Sequence, residues 1–377
     1  MGASPYRRRG GGSLSRPRIV YFGSGAFAVP ALERLHHEGY PILAVVSQPP
    51  KPAGRGMRVH KTPVHERAET LNLPVLTPQR ARDPEFIEQV RSLAPDLIVL
   101  ASYGKILPQS LLEIAPLGNW NLHASLLPKY RGASPIQYAI LNGETETGVT
   151  LMEMVREMDA GDIYLQAVEP ILPDDDYGGL EARLAQRAAE LLIEGLQRLH
   201  AGTLTRTPQN HAAATYAPLI TKEDCHIRWD EPAVRCRNRI RAFSPKPGAY
   251  TFWRGKMLKI WRAEVALTPV PSPTAWERGV ASPLADAVGE GSAGTIPPLA
   301  DAVGAGSAGT IPPIAHAVGE GGKGGEGTIL SADPNNFLIA CGEGVLRLLE
   351  VQPESRPRMD IRAFVNGYRP QVGERLE

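Results

Sequence analysis

The segment Asn119-Trp-Asn-Leu-His-Ala-Ser-Leu-Leu-Pro-Lys-Tyr-Arg-Gly132 places an amide, Asn121, two residues before an imidazole, His123. A carboxylate follows in Met158-Asp-Ala-Gly-Asp162, as Asp159 or Asp162. An amide and an imidazole can both donate to a developing oxyanion. A carboxylate can orient the imidazole and help remove a proton. Together these groups are what transfer of a one-carbon unit to an amine requires, with no nucleophilic Ser or Cys and no covalent intermediate. On a strand, Asn-x-His spacing puts both side chains on one face, because strand side chains alternate.

The elements that would carry these groups are legible as periodic runs. Strands are expected at Ile19–Phe22, Ile42–Val46, Leu97–Ala101, Trp120–His123, Val149–Met154 and Ile163–Val168. Helical patterns fall at Val29–His37, Glu85–Leu93 and Leu180–His200. The alternation predicts an α/β domain over 18–204, an open, mostly parallel Rossmann-like sheet. Such sheets bind ligands beyond the carboxyl ends of their strands, which is where His123 falls. The turn Gly23-Ser-Gly-Ala-Phe27 lacks the third glycine of a dinucleotide fingerprint, since Ala28 stands in its place. Tight-turn geometry accounts for it.

Composition excludes several classes. Lys+Arg is 41 against Asp+Glu 40, so the chain is not a globally basic nucleic-acid binder, although a local basic face is allowed. Cys225, Cys236 and Cys341 show neither metal spacing nor a disulfide framework, which fits a reducing, cytoplasmic setting. No apolar run reaches the length of a membrane span. Arg7-Arg-Arg9 is followed by Gly10-Gly-Gly12 rather than an apolar stretch, so residues 1–17 read as a disordered basic tail and not as a secretory signal. The histidines outside the motif are isolated, and no metal is expected.

Two further stretches carry charge. Pro49-Pro-Lys-Pro-Ala-Gly-Arg-Gly-Met-Arg58 is too rich in Gly and Pro for regular structure and holds Lys51, Arg55 and Arg58. A loop of that kind suits RNA phosphates. A second basic set comprises Lys222, Arg228, Arg235, Arg237, Arg239, Arg241, Lys246, Arg254, Lys256, Lys259 and Arg262. Arg235 and Arg239 stand at i, i+4 and share a helix face.

The motifs Gln48-Pro-Pro-Lys-Pro-Ala-Gly-Arg-Gly56, Asn121 to Gly132, Asn142-Gly-Glu-Thr-Glu-Thr-Gly148 and Phe243-Ser-Pro-Lys-Pro-Gly-Ala-Tyr250 occur in order. In these the chain resembles the 10-formyltetrahydrofolate-dependent formyltransferases, from Arg18 almost to the C-terminus with one large interruption. The resemblance implies 10-formyltetrahydrofolate as formyl donor and methionyl initiator tRNA as acceptor, with a monomeric enzyme. It selects Asp159 over Asp162 as the carboxylate acting with Asn121 and His123. It assigns Ser125, Leu126, Leu127 and Pro128 to the folate pocket, and Lys51, Arg55 and Arg58 to tRNA contact, Arg55 chiefly. Ser24-Gly25 stands where the family usually has Thr-Pro. Two other activities are compatible with the same catalytic block: formylation of an amino-sugar nucleotide, and hydrolysis of the folate. The basic loop and a C-terminal domain argue against the first.

Residues 205–218 read as a linker. Beyond it, a helical pattern at Ala233–Ala242 precedes strand runs at Tyr250–Trp253, Leu258–Trp261, Phe337–Ala340 and Val345–Val351. Short strands of this kind predict a small β-barrel, OB-fold-like by resemblance, over 219–265 and 328–377. Between them, 266–327 is dominated by Gly, Ala, Pro and Ser, and Pro283–Pro297 recurs nearly unchanged at Pro298–Pro312. Each copy has too few large apolar groups to offset the entropy of ordering, so a disordered insertion is expected.

Overall fold

The computed structural model describes residues 16–53, 58–266 and 325–377. Arg55, nearly all of the basic tail and the repeat-bearing segment lie outside them.

The first sheet is built from β1 (Ile19–Gly23), β2 (Ile42–Val46), β5 (Val75–Leu76), β6 (Leu97–Ala101), β7 (Asn119–His123), β8 (Glu146–Glu153) and β9 (Ile163–Pro170). Its order is β5-β2-β1-β6-β7-β8-β9. Pairing is parallel as far as β7, then antiparallel through β8 and β9. The parallel strands are apolar runs because both faces are covered. Along β1, Ile19 and Tyr21 enter one core with α1 (Val29–His37), α2 (Pro63–Thr70) and α6 (Tyr177–Ala201). Val20 and Phe22 enter the other, with α3 (Pro84–Ser92) and α4 (Gln109–Leu112). Gly195 lets α6 lie close on the sheet: a Cβ there would stand 2.4 Å from Leu151 Cδ2.

Antiparallel pairing extends β8 and β9 beyond the apolar cores that marked them in the sequence. Polar Glu146, Thr147 and Glu169 are held by the ladder, with Glu146 exposed and Thr147 buried. A larger departure is the Gly- and Pro-rich basic loop. It was expected to lack regular structure, yet β3 (Lys51–Ala53) and β4 (Arg58–His60) pair antiparallel as a hairpin. An isolated two-stranded ribbon has only edges, so Pro52 can sit in it with its missing donor turned outward.

After α5 (Pro135–Leu141) and α6, the chain reaches α7 (Ala233–Ala242), β10 (Ala249–Trp253) and β11 (Lys256–Val265). The turn between these strands is Arg254-Gly255, with φ of 51° and 71°, the pair of left-handed residues that a tight hairpin needs. Then follow β12 (Ile329–Asp333), β13 (Asn336–Ala340), β14 (Val345–Pro353), β15 (Met359–Asp360) and α8 (Ile361–Tyr368). The second sheet runs β10-β11-β14-β13-β12, and β15 pairs with β14. The C-terminal residues pair with both free edges. Leu376 bridges Trp253 of β10, and Ile329 of β12 donates to the Glu374 carbonyl at 2.8 Å. This closes the sheet into a barrel and removes its edges.

Candidate active site

The site is assembled where the parallel strands end. At β1, the Ser24 and Gly25 N–H groups both donate to the Ser102 carbonyl at 3.1 Å. A Cβ at position 25 would stand 2.4 Å from Ser102 Oγ, so a larger residue there would need the Ser102 hydroxyl to turn away. At β2, Gln48 Nε2 donates to the Tyr103 carbonyl at 2.8 Å. These bonds tie the loops after β1, β2 and β6 into one floor beside the end of β7.

Strand β7 alternates as its sequence predicts: Trp120 and Leu122 enter the α6-side core, while Asn121 and His123 take the opposite face. Both polar side chains are buried. Asp159 reaches them from the loop between β8 and β9. Its Oδ2 lies 3.6 Å from His123 Nδ1, and Asn121 Nδ2 donates to its Oδ1 at 3.5 Å. The Gly132 N–H donates to Asp159 Oδ2 at 2.8 Å. The other ring nitrogen, His123 Nε2, is 2.9 Å from the Tyr130 carbonyl. A carbonyl only accepts, so this contact assigns the ring hydrogen to Nε2 and leaves Nδ1 toward Asp159. Asp162 instead gives its carbonyl to the Glu153 N–H at 2.8 Å, which starts the β8–β9 ladder.

The Ser125–Pro128 segment folds back on itself. Ser125 Oγ donates to the Lys129 carbonyl at 2.6 Å. Thr150 Oγ1 bridges the Ser125 carbonyl and the Leu127 N–H, and Gln166 Nε2 caps the Leu127 carbonyl. Ser125 and Leu127 are buried, whereas Leu126 and Pro128 are half-buried and line the accessible side. Ile106, in the loop after β6, is an apolar side chain left 82% exposed.

The basic residues divide. Lys51 donates to Gln48 Oε1 at 3.2 Å from the β3 side of the hairpin, and Arg58 begins β4. In the second unit several guanidinium groups serve the fold. Arg237 binds the Pro173 carbonyl, Arg239 binds Glu231 and Arg241 binds the Asp175 carbonyl. Arg254 pairs with Glu374 and covers the Trp253 ring at 4.1 Å. Arg228, Arg235 and Arg239 line a cavity of about 210 Å³ between α5 and α7, opposite Asp224 and Glu231. Among the described residues no group of three or more His, Cys, Asp or Glu side chains is placed to hold a metal ion.

Comparison with known proteins identifies this arrangement. A sequence profile described as "Formyl transferase" matches residues 17–196, and "Formyl transferase, C-terminal domain" matches 219–278 and 312–369. The methionyl-tRNA formyltransferase of Caldanaerobacter subterraneus subsp. tengcongensis is 41% identical, over 96% of this chain and 100% of its own length. That of Carboxydothermus hydrogenoformans is also 41% identical, over 96% and 99%. The chain belongs to the methionyl-tRNA formyltransferase family. Among solved structures, HypX from Aquifex aeolicus in complex with tetrahydrofolic acid aligns with a TM-score of 0.54 at 17% identity, over 96% of this chain and 49% of that one. WlaRD, a sugar 3N-formyl transferase, aligns with a TM-score of 0.50 at 20% identity, over 67% of this chain. At those identities both share a fold with the methionyl-tRNA formyltransferase family.

Reading the sequence did not single out Tyr130, Asn142, Glu144 or Thr150 individually. Tyr130 sits at φ 60° with its carbonyl on His123. Its hydroxyl donates to Glu144 Oε1 at 2.7 Å and accepts from Asn142 Nδ2 at 3.1 Å. Burial, reinforced by Glu144, pushes that hydroxyl's pKa up to about 12, so it stays a donor. The Asn142-Gly-Glu144 motif was noticed in the sequence; its visible role, anchoring the residue that holds His123, appears only in three dimensions.

Proposed function

We propose that the chain transfers a formyl group from 10-formyltetrahydrofolate to the α-amino group of methionyl initiator tRNA. The observation that carries this reading is the convergence of Asn121 and His123 on Asp159, at 3.5 and 3.6 Å, in a member of this family. The neutral amine attacks the formyl carbon, a C–N bond forms and the carbonyl electrons move to oxygen. In this reading the Asn121 amide donates to that oxyanion. The amine's proton passes to the imidazole at Nδ1, where the Asp159 carboxylate stabilises the resulting charge. The carbonyl then re-forms, the bond to the folate nitrogen breaks, and that nitrogen takes up a proton.

The folate lies against Leu126 and Pro128. Their apolar surface beside strand-end backbone groups suits a flat pterin rich in edge donors and acceptors. Lys51 and Arg58 of the hairpin contact the tRNA backbone together with Arg55, which lies between them in sequence, and the closed barrel supplies a second basic surface. In this reading the enzyme works in the cytoplasm as a monomer. The three free, buried cysteines fit that compartment, and no described helix is long and apolar enough to cross a membrane.

The test is formyl transfer from 10-formyltetrahydrofolate to charged methionyl initiator tRNA, run beside an amino-sugar nucleotide and a reaction without acceptor. Formylation of the tRNA alone is expected. Turnover confined to the sugar, or folate consumed with no acceptor, would overturn the proposal.

A further inference from the structure

Asp159 occupies a conformation that needs external support. Its φ is 50°, a region that a non-glycine residue holds only where its surroundings impose it. The preceding residues cannot impose it. Val155 to Met158 are exposed, and the turn's own bond, from the Ala160 N–H to the Glu157 carbonyl, is long at 3.4 Å.

The support comes from residues after α6. Gln209 Nε2 donates to two carbonyls of the turn, Asp159 at 2.8 Å and Gly161 at 2.7 Å. Gln209 Oε1 accepts from Arg131, at 3.2 Å from Nε and 2.7 Å from Nη2. Gln209 is 6% exposed and Arg131 4% exposed. The pairing segment also lies along the loop that bears Arg131. The Arg131 N–H donates to the Thr215 carbonyl at 2.8 Å, the Ala217 N–H donates to the Arg131 carbonyl at 2.7 Å, and the Tyr130 N–H donates to Thr215 Oγ1 at 2.8 Å. Arg131 stands between Tyr130, whose carbonyl meets His123, and Gly132, whose N–H meets Asp159. A single glutamine therefore ties the turn carrying the carboxylate to the loop that orients the imidazole.

We propose that Gln209 is a positioning residue for Asp159, fixing the carboxylate against His123 through the Asp159 and Gly161 carbonyls. The inference rests on the catalytic reading of Asp159 given above. It requires the amide specifically. A carboxylate at 209 would keep, and strengthen, the contact with Arg131, which has no carboxylate partner among the described residues. It would also lose both donors and set oxygen against oxygen at the turn.

The experiment compares the full-length wild type with Gln209→Glu and with Gln209→Met, which has similar length and no donor. In both variants kcat for formyl transfer is expected to fall on the order of 10- to 100-fold, the scale of a catalytic group displaced by about an ångström. KM for folate and for tRNA should stay within about two-fold, and the thermal midpoint of whichever variant folds as well as the wild type controls for stability. In an Asp159→Ala background Gln209→Glu should cause no further loss, because the group it positions is gone. A normal kcat in both variants, or the same loss with and without Asp159, would overturn the inference alone. An Asp159→Ala enzyme with full activity would overturn the catalytic reading and this inference with it.

Discussion

At the scale of single residues, the site separates groups that face the reaction from groups that hold them. Asp159 does both: its carboxylate meets His123 and Asn121, and its backbone forms the turn. Replacing it with Asn isolates the charge. Asparagine tolerates the left-handed conformation and retains an acceptor for the Gly132 N–H. Asp159→Asn should therefore keep the thermal midpoint while lowering kcat by about 100-fold or more, the scale of a lost proton-transfer partner. Single-turnover formyl transfer alongside a thermal melt checks both halves. A variant with near-normal kcat would remove Asp159 from the mechanism.

At the scale of elements, the connection from β9 into α6 is one of the places where the second unit is tied to the first. Arg183 of α6 binds Asp175 through both terminal nitrogens, Glu169 of β9 and the Pro170 carbonyl. The Asp175 carbonyl in turn accepts from Arg241 of α7 at 2.9 Å. Burial by itself would raise the Asp175 pKa. The Arg183 hydrogen bonds and the Leu172 N–H outweigh it and hold the carboxyl below its ordinary 3.8. A carboxyl depressed on folding stabilises the native state fully above that ordinary value, and the contribution is lost as pH falls through the folded value. Asp175→Asn should lower the melting temperature at pH 7 by roughly 2–4 °C. The gap from the wild type should begin to narrow as pH falls below about 3.8 and close once it is below the depressed folded value. Melts across pH check it; a gap independent of pH would mean that the ion pair does not contribute.

At the scale of the whole molecule, the closed barrel accommodates the long excursion between β11 and β12. Both ends are anchored: the Ala266 N–H donates to the Val345 carbonyl, and Thr328 pairs with Arg375. The entropic cost of closing a loop grows only with the logarithm of its length. Replacing residues 267–324 with a short Gly/Ser linker should leave the melting temperature and formyl transfer to tRNA within about two-fold of the full chain. Loss of folding would show that the repeat belongs to the structure. Loss of tRNA affinity alone would give it a part in binding.

The sequence by itself determined what depends on neighbours along the chain. Apolar runs of β1, β2, β6 and β7 marked the parallel sheet, and Asn-x-His spacing put both side chains on one face, because alternation is a property of any strand. The tertiary structure decided what depends on distant residues meeting. Asp159 turns toward His123 while Asp162 enters a ladder, because a left-handed residue and two Gln209 hydrogen bonds shape that turn. Residues 205–218, polar and without periodicity, read as a linker in the sequence. They lie against the catalytic loop because their backbone pairs with Arg131, a partner that no local pattern names. The closing C-terminal segment is of the same kind: its bonds reach Phe252 and Ile329, far away in sequence, and such bonds exist only once the rest has folded.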